Sequence, residues 1–220
     1  MPVRIGNATP SSLRFGDLTA TKAYLGDVLV FPVFAVVSQT FTTTWTFNIP
    51  AECAFIDIVL LGAGGGGSSG NIGASAGQGG RPGEWQTITL QRGVDIPWTA
   101  TQITGTIGSG GGGGIGGWVP FDGGQGGSTT ATIAGVGTLT ALGGIGGQFS
   151  FGSEGRAGQG PGTINFNGIP YVGAGPTGNS AANGNTPGGG GGGGNAGAAF
   201  FPAGSGGNGA RGQAWCRAYV

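Results

Sequence analysis

The sequence predicts an all-β chain with no substantial helix: a small N-terminal β-hairpin or meander module, then a β-sandwich that carries glycine-rich tracts. Three observations predict it. Glycine supplies 57 of the 220 residues and crowds the stretch from Gly62 to Gly212. Before and between the glycines lie strand-sized runs of β-branched and aromatic residues bounded by turn formers. Glycine and the β-branched residues together remove every window long enough for helical periodicity.

Residues 1–37 form the first unit. Gly6, Gly16 and Gly26 are spaced at ten, and each is followed by Asn7, Asp17 or Asp27 between β-prone runs. Gly-Asn and Gly-Asp supply the positive φ that tight hairpin turns require. A strand over 28–31 closes the unit. It is too small to be stable alone, so it is expected to dock on the rest of the chain or on a partner.

Residues 38–220 form the second unit. Trp45, Phe47 and Ile49 alternate with Thr46 and Asn48, the pattern of a half-buried strand, and Pro50 ends it. Residues 55–61 are apolar except for Asp57, which predicts a central strand. Further strands are expected over 84–90, 94–100, 128–133, 137–142 and 212–220. Trp85 and Trp98 fall on two of these and are expected to plug the core.

Ordered glycine costs roughly 0.5–1 kcal/mol against alanine. A chain so rich in it either stays disordered or builds something that only glycine can build. Disorder usually joins low hydrophobicity to high net charge. Here the net charge is zero, 37% of residues are hydrophobic, and there are 12 Phe, 5 Trp and 3 Tyr. Order is the better reading. Glycine recurs at every third place over 64–73, 77–83, 152–158 and 206–212, which matches the three-residue turn of polyproline II. Two forms stay open: polyglycine II-like helices packed side by side, or long loops pinned at both ends. Gly62, Gly64, Gly65, Gly66, Gly67, Gly188, Gly191 and Gly194 are the candidate structural glycines. Open glycine edges on such a lattice are expected to favour self-association.

Several chemistries are disfavoured. Lys22 is the only lysine and no basic cluster exists, so the counterion-releasing footprint of a nucleic-acid binder is missing. With no histidine, neither a Ser-His-Asp triad nor a zinc site of the usual ligands can be built. The run 62–67 satisfies G-x-G-x-x-G, but 68–73 cannot open a helix, so it is not a dinucleotide loop. Asp57, Glu84, Asp95, Asp122 and Glu154 are isolated in sequence and are read as solvated surface charges rather than paired catalytic carboxylates. No cofactor, no metal and no enzymatic activity are expected. Cys53 and Cys216 either pair or, preferably, are buried free thiols. No stretch of 18 apolar residues and no readable export signal occur.

Three aromatic clusters punctuate the glycine tracts in turn-like settings: Trp118 with Phe121, Phe149 with Phe151, and Phe200 with Phe201. They either cap the packed glycines or serve recognition, since flat aromatic faces on loops stack on sugars. All six are candidate receptor contacts, and a cell-envelope glycan is one candidate partner.

The run from Phe41 to Pro50, the strand that leads into Leu60-Leu61-Gly62-Ala63-Gly64-Gly65-Gly66-Gly67, the step Gly79-Gly80-Arg81-Pro82-Gly83-Glu84 and the closing Gly206–Gly212 before a final strand resemble the glycine-rich domains of bacteriophage tail proteins. The segment 22–30 resembles a short module of minor tail proteins from phages of actinobacteria. The resemblance implies a structural virion protein of a tail tip or fibre, assembled in the host cytoplasm and commonly homotrimeric. Residues 1–37 would attach it to other tail proteins, and the glycine-rich body would contribute to adsorption. Other readings of the same residues are a structural spacer without receptor binding, and an ice-binding glycine-helix bundle.

Overall fold

A computed structural model describes residues 22–26, 34–73, 75–149, 156–178 and 180–220, together with the backbone of Leu13–Phe15, Leu18–Ala20 and Val28–Phe31. Among the described residues every regular element is a strand. The order is β1 (Leu13–Phe15), β2 (Leu18–Ala20), β3 (Ala23–Leu25), β4 (Val28–Phe31), β5 (Val37–Phe41), β6 (Trp45–Asn48), β7 (Phe55–Leu61) and β8 (Trp85–Gln91). Then follow β9 (Gln102–Thr106), β10 (Thr129–Ile133), β11 (Gly137–Ala141), β12 (Thr163–Phe166), β13 (Ile169–Val172) and β14 (Gln213–Tyr219). The N-terminal module takes the hairpin form, β1 with β2 and β3 with β4, in two separate two-stranded ribbons. Of its three expected turn glycines, Gly26 is in the left-handed region at φ 62°; Gly6 and Gly16 lie outside the described residues.

Two antiparallel four-stranded sheets, ordered β5-β14-β7-β8 and β11-β10-β9-β6, face each other. Their core holds Trp45, Phe47, Ile56, Ile58, Leu60, Leu90, Ile103 and Ile133. β6 shows the predicted alternation, with Trp45 and Phe47 buried and Thr46 and Asn48 exposed. Ala214, Cys216 and Ala218 are the small inward residues of β14, which lets the other sheet's bulky side chains approach. Cys53 and Cys216 are buried free thiols. Burial pushes both thiols above their ordinary pKa.

β7 is buried on both faces because a third layer covers the outside of its sheet. That layer is the β12–β13 hairpin. Asn167 and Gly168 form its two-residue turn, with φ of 50° and 75°, the signature of an Asn-Gly type I′ turn. Tyr171 meets Trp215 edge-on at 5.7 Å, and Trp215 stacks on Trp85 at 5.5 Å.

Two expectations are corrected. The segment 94–100 is a turn, not a strand: Gly93 has φ 80°, Pro97 interrupts the ladder, and the strand forms later as β9. Trp98 is therefore 51% exposed instead of plugging the core, and its ring lies under the Arg92 guanidinium at 4.8 Å. Asp57 is fully buried rather than solvated. Its carboxylate accepts from Thr89 Oγ1 at 2.8 Å, Asn167 Nδ2 at 2.9 Å, Tyr219 OH at 3.1 Å and Arg217 at 3.4 Å. These partners compensate for the lost water.

Beyond the carboxyl end of β7 the glycines pack as a lattice of threefold helices, not as loops. The 62–70 tract is its axis and is buried throughout. Its N–H groups fan out with period three. Gly62, Gly65 and Ser68 donate to Glu84, Arg81 and Gln78. Ala63, Gly66 and Ser69 donate to Gly127, Gly124 and Phe121, and Gly64, Gly67 and Gly70 donate to Ala210, Gly207 and Gly204. Partner numbers fall as donor numbers rise, so these three neighbouring tracts run antiparallel to the axis. Its carbonyls accept from three further tracts that run parallel: Gly144 and Gly147, Gly111 and Gly114, and Gly191 and Gly194. Parallel and antiparallel tracts alternate around the axis, and adjacent ones bond to each other, as in Gly126 to Gly144, Gly209 to Gly111 and Gly80 to Gly191. The result is a closed hexagon in which backbone groups pair without any sheet.

This packing explains the glycines. A Cβ on Gly64, Gly65, Gly66 or Gly67 would sit 2.0–2.3 Å from a carbonyl oxygen of a neighbouring tract, and on Gly62 only 1.9 Å. Gly191 and Gly194 are equally confined, at 2.1 Å from Gly207 and Gly204 oxygens, and Gly188 adds φ 76°. The 188–194 tract is a second centre, donating to the axis from 191 and 194, to Gln159 and Arg156 from 190 and 193, and to Asn185 and Ala182 from 189 and 192. The expected open edges are largely closed by side chains. Tracts at the rim turn residues such as Ser109, Ile115, Gln125, Leu142, Ile145 and Gln148 to solvent, at the one-in-three positions that face no neighbour. Of the expected third-place glycines, Gly152 and Gly155 lie outside the described residues.

Candidate functional site

The lattice has two ends. One is the sandwich, where the tracts start and finish on β7, β8, β10, β11 and β14. The axis then advances eight residues to Gly70, roughly 25 Å at the rise of this helix type. The register of the last rungs brings the expected aromatic turns together at that far end.

Each turn is built from backbone bonds and short polar side chains. Ser69, the penultimate residue of the axis, donates its N–H to Phe121 O at 2.9 Å, and its Oγ accepts from Phe121 N at 2.8 Å. Asp122 Oδ1 accepts from Phe149 N at 2.6 Å, tying the second aromatic segment to the first. The 195–204 turn is closed by Gly204 N to Asn195 O at 2.9 Å and by the reciprocal bonds of Ala198 and Phe201 at 3.0 Å. Ala203 N to Gly117 O at 3.0 Å and Gly116 N to Ser205 Oγ at 2.8 Å join it to the turn that carries Trp118.

On this frame Trp118 is 59% exposed, Phe121 53%, Phe200 88% and Phe201 70%. Phe149 is half-buried, and Phe151 lies outside the described residues. The six candidate contacts therefore resolve into five residues at one end, four of them openly displayed. Ile115 and Val119 are exposed beside them. The sequence contained a signal for Ile115, which continues the outward row from Ser109 and Gly112. Among the described residues, the charged side chains closest in the chain are Asp122, engaged as above, and Arg156, whose Nη1 donates to Asn195 Oδ1 at 3.4 Å.

The opposite end has its own concavity of about 650 Å³, lined by Tyr24 of the N-terminal module and by Glu52, Phe55, Arg92, Trp98 and Val220. Arg92 donates to Pro50 O, Ala51 O and Trp98 O at 2.6–2.9 Å, so its charge organises the rim. Lys22 pairs with Glu52 across the junction. Among the described residues no group of His, Cys, Asp and Glu could hold a metal ion, and no helix is long and apolar enough to cross a membrane.

A β-sandwich that projects a hydrogen-bonded glycine lattice and ends it in exposed turns defines a glycine-rich domain. The chain belongs to the glycine-rich domain family, whose model matches residues 39–219. It is 45% identical over 216 residues to the Gene 32 protein of Mycobacterium phage D29, covering 94% of this chain and 95% of that one. It is 44% identical over 201 residues to the Gene 32 protein of Mycobacterium phage L5, covering 90% and 89%. It is thus a phage-encoded protein with a glycine-rich domain.

Proposed function

We propose that the chain is a structural, non-enzymatic component of the phage tail, at its tip or fibre, and that it contributes to host-surface recognition. The observation that carries this is the separation of roles along one axis. The described segment 22–26 of the N-terminal module adjoins one end, through Tyr24 and the Lys22–Glu52 pair. The exposed aromatic turns occupy the other, with the lattice between them. A rigid spacer of this kind suits a protein anchored at one end and presented at the other, and close kinship with phage proteins supports a virion setting. Self-association, with a trimer as the expected form, belongs to the same reading.

Deletion of residues 1–37 is the test. The remaining body should fold, bind host envelope and fail to enter virions. Normal incorporation of the truncated chain would sink the assignment. Serine at Trp118, Phe121, Phe200 and Phe201 should abolish binding to host cells; unchanged binding would move the receptor face away from these turns, and no binding by the parent chain would leave it a spacer.

A further inference from the structure

We infer that the distal turns bind acyl chains, so that the receptor face is the lipid part of an envelope rather than a glycan. The inference rests on the host-surface reading and specifies its ligand.

Composition comes first. The displayed side chains are Ile115, Trp118, Val119, Phe121, Phe200 and Phe201, each at least 53% exposed. An aromatic side chain offers about 150–250 Å², so the four aromatics alone expose on the order of 500 Å² of largely apolar surface. That is at the upper end of the patch size monomeric proteins leave uncovered, and patches of this size mark interaction sites.

Polarity comes second. A sugar site pairs a stacking ring with nearby donors and acceptors that read the hydroxyls. Among the described residues, four polar side chains beside these turns are engaged by lattice N–H groups: Ser69 accepts from Phe121 N, Asp122 from Phe149 N, Ser205 from Gly116 N and Asn208 from Gly113 N. Phe200 and Phe201, the most exposed pair, have no hydrogen-bonding atoms in their side chains. Two aliphatics, Ile115 and Val119, contribute methyl surface that cannot stack on a sugar. Such a face is matched by hydrocarbon. Trp118, with an apolar body and one N–H, suits the boundary where hydrocarbon meets headgroup.

The experiment uses the full chain with phosphatidylcholine vesicles, and with mycobacterial cells before and after lipid extraction. The protein should float with the vesicles and bind intact cells. Phe200→Ser with Phe201→Ser, or Trp118→Ser, should weaken vesicle binding at least tenfold at an unchanged melting temperature. Trp98→Ser, at the opposite end, should bind like the parent. Loss of cell binding on lipid extraction supports the inference. Absent vesicle binding, insensitivity to the distal substitutions, or equal binding to lipid-extracted cells overturns it and leaves host recognition through a glycan standing. No binding to intact cells refutes the host-surface reading, and this inference with it.

Discussion

Gly66 and Gly112 face each other across the lattice, and alanine at each should act with opposite sign. A Cβ on Gly66 would lie 2.0 Å from Gly112 O and 2.4 Å from its carbonyl carbon. Side-chain carbons essentially never approach closer than 3.0 Å, so the facing backbone must retreat by about 1 Å. That carbonyl already accepts from Gly124 N at 2.7 Å, and its tract is held by similar bonds on both sides. Overpacking of this kind costs roughly 1–3 kcal/mol, and weakening the Gly112 bond adds about 1 kcal/mol. Alanine's stiffer unfolded chain returns about 0.4–1 kcal/mol. The net loss for Gly66→Ala is about 1–3.6 kcal/mol, a fall in melting temperature of roughly 2–14 °C for a body of this size. Alanine at Gly112 meets nothing within 4 Å, and its φ lies outside the left-handed region, so only the unfolded-state term acts. Gly112→Ala should be neutral or more stable by up to about 1 kcal/mol. Thermal unfolding followed by circular dichroism reads both. Equal melting of the two variants would refute the lattice as the reason for these glycines.

Other outcomes follow from the same packing. Asp57→Ala should cost about 1–3 kcal/mol by urea denaturation, because half-buried Arg217, Thr89 and Tyr219 and exposed Asn167 lose their common acceptor; a near-neutral result would contradict the buried network. Asn167→Ala should cost about 1–2 kcal/mol in the same assay, through two lost bonds and a side chain left at positive φ. In the folded state Cys53, Cys216, Tyr171 and Tyr219 all hold their protons to higher pH than in the unfolded chain, burial being the largest cause for each. The folded state therefore binds more protons in the alkaline range, and stability should fall as pH rises from about 9, the ordinary thiol value. Rising stability there would contradict it. Native protein should not react with a thiol reagent at pH 8, and both cysteines should react once it is denatured.

The sandwich was readable where side chains alternate or run apolar. β4 and β7 begin and end where expected, and β6, β8, β10, β11 and β14 differ only at their ends. β9 was missed because Gly105 interrupts it, and that glycine is needed where Trp45 lies over the strand, 2.5 Å from where a Cβ would be. β12 and β13 were signalled by Asn167-Gly168 between β-prone runs, a signal submerged among the neighbouring glycines. Asp57 was misjudged because its partners lie 32 to 162 positions away. The aromatic clusters were legible as turns. Their common end was not, because it depends on which tract lies beside which, and polyglycine carries no pattern that selects a partner. The non-glycine residues do carry one: Gln78, Arg81 and Glu84, or Leu142, Ile145 and Gln148, mark by their spacing the side of each tract that faces outward.

The threefold period also constrains how the body can change in length. Adding one residue to a tract turns everything beyond it by a third of a revolution, driving an outward side chain such as Ile145 into a neighbour's carbonyl. Adding three restores every orientation and lengthens that tract by roughly 9 Å. Reach can therefore be adjusted in steps of three, taken together in tracts that share rungs, while the sandwich at the base and the turns at the tip keep their structures. Relatives of different length are expected to differ by multiples of three within the tracts and without restriction in the turns.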